Sequence, residues 1–131
     1  MSDIEVISSQ EAPAAVGPYS QATVVAGWAF LSGQIALDPQ TGLLVEDIIT
    51  TQTEQVLRNI DALLRAVGAK RHQIVKTTVY LVDLSEFKKM NAVYEQFFMP
   101  PYPARSTVQV AALPQGARVE IEAVVWLGAT P

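Results

Sequence analysis

Side chains alternate between the two faces of an extended strand. In the run from Arg105 to Ala111, Arg105, Thr107 and Gln109 therefore share one face, with Ser106, Val108 and Val110 on the other. In Val119 to Leu127, Glu120 and Glu122 share a face opposite Val119 and Ile121. Leu113-Pro114-Gln115-Gly116-Ala117 joins the two runs and reads as the turn of a hairpin. If the register aligns the polar faces, Arg105 lies on the same side as the glutamates, but spacing alone leaves that register open. Two chemistries fit. One is a cross-strand salt bridge on a wet sheet surface, contributing about 0–1 kcal/mol, and pattern alone favours it. The other is a pocket in which the planar fork of Arg105 clamps a small carboxylate and a glutamate handles protons or water.

Other residues have chemistry to offer, each beside a plainer reading. Asn91 lies four residues after Phe87 and three before Tyr94, at the border of an apolar helical stripe. Its amide needs partners if buried; backbone groups of a neighbouring sheet are the favoured ones, a ligand the alternative. Tyr19 follows Gly17-Pro18 in a defined turn, where an interface tyrosine with a wet hydroxyl is the ordinary outcome. Ser32-Gly33 ends a strand, and a glycine there either makes a turn or lets a backbone or ligand approach closely. His72, the one histidine, sits in the polar connection Ala69-Lys70-Arg71-His72-Gln73 with no partner spaced near it, so an exposed histidine is expected.

Composition narrows the classes. The 131 residues fit one domain, 1–131. With no cysteine, the chain has no disulfide, Cys nucleophile or Cys-ligated metal, and a lone imidazole is a poor start for a zinc or iron site. The net charge of −4 argues against nucleic acid; Lys70-Arg71 and Lys88-Lys89 are short and read as solvated. No apolar run approaches a membrane span, and the N-terminal Met1-Ser2-Asp3-Ile4-Glu5 lacks the pattern of a secretory leader, so the expected location is the cytoplasm. Half of the residues are apolar and 17% are charged, against a usual charged share of about 25%. A small domain has much surface to solvate, so the shortage predicts that further copies of the chain cover part of it in a closed homo-oligomer.

The elements that must position these residues read as strands at 4–7, 23–26 and 28–32, the last two a hairpin about Gly27. Asp38-Pro39-Gln40-Thr41-Gly42 is a turn. Thr51 and Glu54 have the spacing of a capping box before a helix whose stripe is Val56, Leu57, Ile60, Leu63, Leu64 and Val67, stopped by Gly68. Ile74 to Val82 reads as a strand. Ser85 caps a second helix that buries Phe87, Met90, Tyr94, Phe97 and Phe98 and ends at Pro100, Pro101 and Pro103. Two helices cover one face of such a sheet, leaving the other for solvent or another subunit; the scarcity of charge favours a subunit.

Taken together, the motifs resemble one family. Gly17-Pro18-Tyr19-Ser20-Gln21-Ala22, Ser32-Gly33-Gln34-Ile35, Val75-Lys76-Thr77-Thr78-Val79, Met90-Asn91-Ala92-Val93-Tyr94-Glu95, Pro103-Ala104-Arg105-Ser106-Thr107, Val110-Ala111-Ala112-Leu113-Pro114 and Val119-Glu120-Ile121-Glu122-Ala123 occur in the order and spacing of the Rid/YjgF family. The chain closely resembles the RidA branch of 2-iminobutanoate/2-iminopropanoate deaminases, over about residues 5–127. The resemblance implies a chorismate-mutase-like α+β fold, a mixed sheet of about six strands with two helices on one face, assembled as a homotrimer with sites between subunits. It implies hydrolysis of 2-imino acids, released by pyridoxal-phosphate dehydratases, to 2-keto acids and ammonia, with no metal or organic cofactor. Arg105 takes the place of the family's carboxylate-binding arginine and Glu120 that of its water- or proton-handling glutamate. Tyr19, Ser32, Gly33, Asn91 and Thr107 match substrate-binding positions. Thr107 stands where some members have cysteine, which removes any role for a thiol and leaves the backbone N–H as a donor. Rival readings are a non-catalytic small-carboxylate-binding regulatory module of the same fold, an endoribonuclease or translation inhibitor, and a holdase chaperone.

Overall fold

The computed structural model describes residues 3–128. Met1 and Ser2, part of the stretch read for a leader, and residues 129–131 lie outside it. The chain runs β1 (Glu5–Ile7), β2 (Ala22–Val25), β3 (Trp28–Gln34), α1 (Ile49–Val67), β4 (Ile74–Leu81), α2 (Phe87–Phe97), β5 (Ala104–Gln109) and β6 (Val119–Trp126). The six strands form one mixed sheet in the order β1-β2-β3-β6-β4-β5. All neighbours are antiparallel except β4 and β5. This is the α+β arrangement expected, with two helices and a six-stranded sheet.

Helix α1 buries Val56, Leu57, Ile60, Leu63 and Leu64 against β3 and β6 and packs beside α2. From the sheet, Ala29, Leu31, Val79, Leu81, Val119, Ile121, Ala123 and Val125 complete this core. Alternation sends the other side chains to the face away from the helices. There Trp28, Phe30, Val108 and Trp126 remain exposed, Phe30 by 45%. Gly68, at φ 76°, ends α1 in the left-handed region, and its N–H closes back on the Arg65 carbonyl.

Three expectations need correction. First, α1 starts at Ile49, two residues before Thr51, and its N-cap Ile48 makes no side-chain cap. The Thr51–Glu54 spacing thus falls inside the helix and caps nothing. Second, Ser85 is not the cap of α2. A 3-10 turn, Leu84–Glu86, precedes that helix, and the Asp83 carboxylate accepts from the Ser85 N–H. Third, β5 and β6 are not a hairpin. β5 pairs in parallel with β4, and β6 is inserted between β3 and β4. Contiguity along the chain favoured the hairpin; burial of the β6 residues Val119, Ile121, Ala123 and Val125, all 3% exposed or less, places that strand in the centre instead.

Candidate functional site

The register decides where Arg105 and the glutamates go. Arg105 lies beside Thr77, and Thr77 beside Ala123, which is buried under the helices. Glu120 lies beside Tyr80, and Tyr80 beside exposed Val108. Arg105 therefore belongs to the helix face of the sheet and the two glutamates to the opposite face. The cross-strand salt bridge drawn from the pattern does not exist in this chain. Two separate groups of candidate residues result.

The first group surrounds Arg105 at the sheet edge. Its Nη1 donates to Asn91 Oδ1 at 2.7 Å. The guanidinium carbon lies 4.7 Å from the centroid of the Tyr94 ring and 5.4 Å from that of Phe87, close enough for cation–π attraction. The favoured reading of Asn91 as a partner of sheet backbone is replaced by this contact. Tyr94 is itself fixed by a 2.7 Å hydrogen bond with Thr77 Oγ1. Burial pushes its phenol up, while the Thr77 bond and the Arg105 charge oppose that. No carboxylate among the described residues forms an ion pair with Arg105. A planar cation is thus held by an amide and two rings while its charge stays uncompensated. Asn91, Tyr94, Glu95, Tyr102, Pro103 and Arg105 line a cavity of about 430 Å³ here. Thr107, two residues on along the same strand face, carries a buried hydroxyl with no hydrogen-bond partner.

The second group lies on the other face. Glu120 is half-buried, and burial, followed by the Glu122 charge, raises its carboxyl above the ordinary range. The two glutamates are not equivalent. Tyr80 donates to Glu122 Oε1, and that bond, with burial and the charges of Glu122 and Glu120, pushes the phenol up to about 12. Glu120 has no donor of its own among the described residues. Its side chain rests against Gly33, and both line a small cavity of about 110 Å³ with Tyr19, Gln34, Pro114 and Gln115. Tyr19 is 51% exposed. Ser32 Oγ donates to the Ser20 carbonyl at 2.6 Å, tying the end of β3 to the segment that carries Tyr19. Buried Gln21 holds the same segment from the other side, its Nε2 donating to the Pro13 and Ser9 carbonyls.

The structure thus gathers Tyr19, Ser32, Gly33 and Glu120 in one place and Asn91, Arg105 and Thr107 in another. Reading the residues by type missed Tyr94 and Phe87 as the aromatic bed of the arginine, because both were assigned to the core. The signal was available: Asn91 and Tyr94, three apart on a helix, must be neighbours. Gln21 was missed as the anchor of Tyr19. His72 is exposed in a 3-10 turn, Arg71–Gln73. No cluster of three or more His, Asp or Glu side chains among the described residues is placed to hold a metal ion, and no helix there is long and apolar enough to cross a membrane.

Comparison with known proteins agrees with this architecture. The model of the family described as Endoribonuclease L-PSP matches residues 9–127. Reactive Intermediate Deaminase A, chloroplastic, of Arabidopsis thaliana is 50% identical over 123 residues, 94% of this chain and 66% of that protein. The 2-iminobutanoate/2-iminopropanoate deaminase of Homo sapiens is 46% identical over 94% of this chain and 90% of its own length. The Rid-family protein YyfA of Yersinia pestis superposes with a TM-score of 0.93 at 46% identity, covering 95% of this chain and 99% of that one. TdcF of E. coli, solved with bound serine, gives 0.90 at 41% identity, covering 95% and 99%. Sequence and fold agree over nearly the whole length, and the chain belongs to the Endoribonuclease L-PSP family, also called YjgF/Rid.

Proposed function

We propose that this chain, as one domain, is a 2-iminobutanoate/2-iminopropanoate deaminase that hydrolyses reactive enamine and imine intermediates to 2-keto acids and ammonia. The observation that carries the reading is Arg105: an arginine with no ion-pair partner among the described residues, oriented by Asn91 and two rings. A short carboxylate is the ligand its planar fork fits. Glu120 is the second participant. It holds a water near the imine carbon and passes protons as the carbon–nitrogen bond is lost. Imines already hydrolyse in water, so fixing one anion and one water supplies a modest reduction of the barrier.

Because Arg105 and Glu120 occupy opposite faces of one sheet, the proposed site is completed between copies: the arginine group of one subunit meets the Tyr19–Gly33–Glu120 group of its neighbour. The assembly is a homotrimer, and the exposed Trp28, Phe30 and Trp126 are part of what it covers. The proposed location is the cytoplasm. The test generates the imine in situ with a pyridoxal-phosphate dehydratase and follows ammonia release. Arg105→Ala should lower kcat/KM by about thirtyfold to several thousandfold, the kinetic equivalent of about 2–5 kcal/mol for removing one partner of a buried charged contact. Glu120→Gln should lower turnover while keto-acid binding survives. Unchanged rates in Arg105→Ala discard the clamp.

A sensor of the same fold needs the arginine but shows no turnover in that assay. The family's name points to a nuclease, and salt-sensitive RNA binding with cleavage by the purified chain is its signature; a net charge of −4 opposes it.

A further inference from the structure

Gly33 has no conformational reason to be glycine. Its φ is not among the positive ones, which belong to Gly27, Gly42, Gly68, Gly116 and Gly128, so any L-residue could adopt its backbone. It also lies within strand β3, where a glycine interior to the strand weakens it. The reason is space. A Cβ built on Gly33 would fall 2.2 Å from Glu120 Oε2, 2.9 Å from its Cδ and 3.2 Å from its Cγ. The carboxylate occupies the volume a side chain would take.

The local strand geometry makes that contact. Between β3 and β6 the register runs Leu31↔Ala123 and then Gln34↔Ile121. Three steps on β3 therefore oppose two on β6, so one extra residue bulges from β3 at Ser32-Gly33. Leu31 and Gln34 both stay buried, and the bulge turns the Gly33 backbone towards the Glu120 side chain. Glu122, two residues along the same face, is held by Tyr80. With no donor of its own among the described residues, Glu120 is located by contact with the bulge.

We infer that Gly33 is a positioning residue: its missing Cβ, presented by the β3 bulge, is the seat that fixes the Glu120 carboxylate for catalysis. The inference rests on the deaminase reading for its kinetic consequence. It differs from a role of Gly33 as a backbone donor to substrate, because Gly33→Ala keeps the N–H and removes only the seat.

The test is a double-mutant cycle of Gly33→Ala and Glu120→Asp, whose shorter side chain withdraws from the seat. Gly33→Ala alone should lower kcat by about a hundredfold, the scale of a misplacement near 1 Å, with KM little changed because the Arg105 clamp, supplied to the shared site by the neighbouring subunit, is left intact. In the Glu120→Asp background the same change should cost less than about threefold, and the double variant should recover the Tm that Gly33→Ala loses. Losses that multiply independently, in kcat or in Tm, overturn the seat, as does a Gly33→Ala protein with full turnover. If the wild-type chain releases no ammonia from the imine, the deaminase reading fails. The Tm coupling then still decides the seat, and a Gly33→Ala variant too unstable to assay is judged by whether Glu120→Asp restores its melting.

Discussion

A half-buried carboxyl with no donor among the described residues is a group whose protonation matters. Glu120 faces Glu122 and Tyr80 from the sheet and Tyr19 across the small cavity. Burial first, and the Glu122 charge second, raise its proton affinity. Glu122→Gln removes the second cause, so the acid limb of the pH–rate profile should move to lower pH. A profile that stays in place or moves upward contradicts the coupling. The sign for stability is opposite to that of an ion-paired carboxylate. With the folded-state pKa raised above the unfolded one, the contribution of this group is fully present below the unfolded carboxylate range. It is lost as pH rises through the folded value. Glu120→Gln should therefore raise Tm at neutral pH while lowering turnover, and the gain in Tm should shrink on acidification. Thermal melts at two pH values check this. A residue that costs stability and yet is needed for rate is the expected signature of a working site.

Among the elements, α1 shows what a sequence does and does not disclose. Its apolar stripe and its glycine stop are plain in the residue order, because a 3.6-residue period leaves few ways to bury Val56, Ile60, Leu63 and Leu64 together. The same face also buries Gln52, Gln55 and Asn59, which no hydropathy pattern assigns to a core. Asn59 Nδ2 donates to the Ile35 and Leu37 carbonyls, at 3.2 and 2.9 Å, and Gln55 donates to Asn59 Oδ1. Gln52 Oε1 accepts the Arg118 N–H at 2.9 Å. These amides supply partners to irregular backbone that follows β3 and precedes β6, and that partner is fixed by tertiary contact alone. Asn59→Ala leaves the Leu37 carbonyl near the small cavity without its donor, while the Ile35 carbonyl keeps the Leu37 N–H, at a cost of about 1–3 kcal/mol. Urea unfolding should show that loss with the slope unchanged; a neutral result means that water replaces the amide fully. The start of α1 was hidden for a related reason: Thr53 Oγ1 returns to the Ile49 carbonyl, so this threonine bonds within the helix and does not cap it.

For the whole molecule, six strands, two helices and a sheet covered on one side were legible from alternation, turn residues and charge. The strand order was not. Nothing local distinguishes a β5–β6 hairpin from a β6 inserted between β3 and β4, since both satisfy the alternation of Arg105–Gln109 and Val119–Trp126. That one choice put Arg105 and Glu120 on opposite faces and split the candidate site in two. The uncovered face carries Val6, Phe30, Val124 and Trp126, and the proposed trimer hides such a surface. Phe30→Glu, at a position 45% exposed in the single chain, should shift the sedimentation mass towards the monomer and abolish turnover together with assembly. A monomeric variant that retains full activity rules out a shared site.

The placement of β6 also bears on how the molecule is made. The strand that unites the sheet follows the other five in the sequence, and within the sheet β1–β3 are joined to β4–β5 only through it. Until β6 is in place the two parts of the sheet share no strand pairing, although α1 packs both on β3 and against α2. Completing the sheet therefore requires pairing between strands far apart in sequence, which makes its closure slow beside the local winding of the helices.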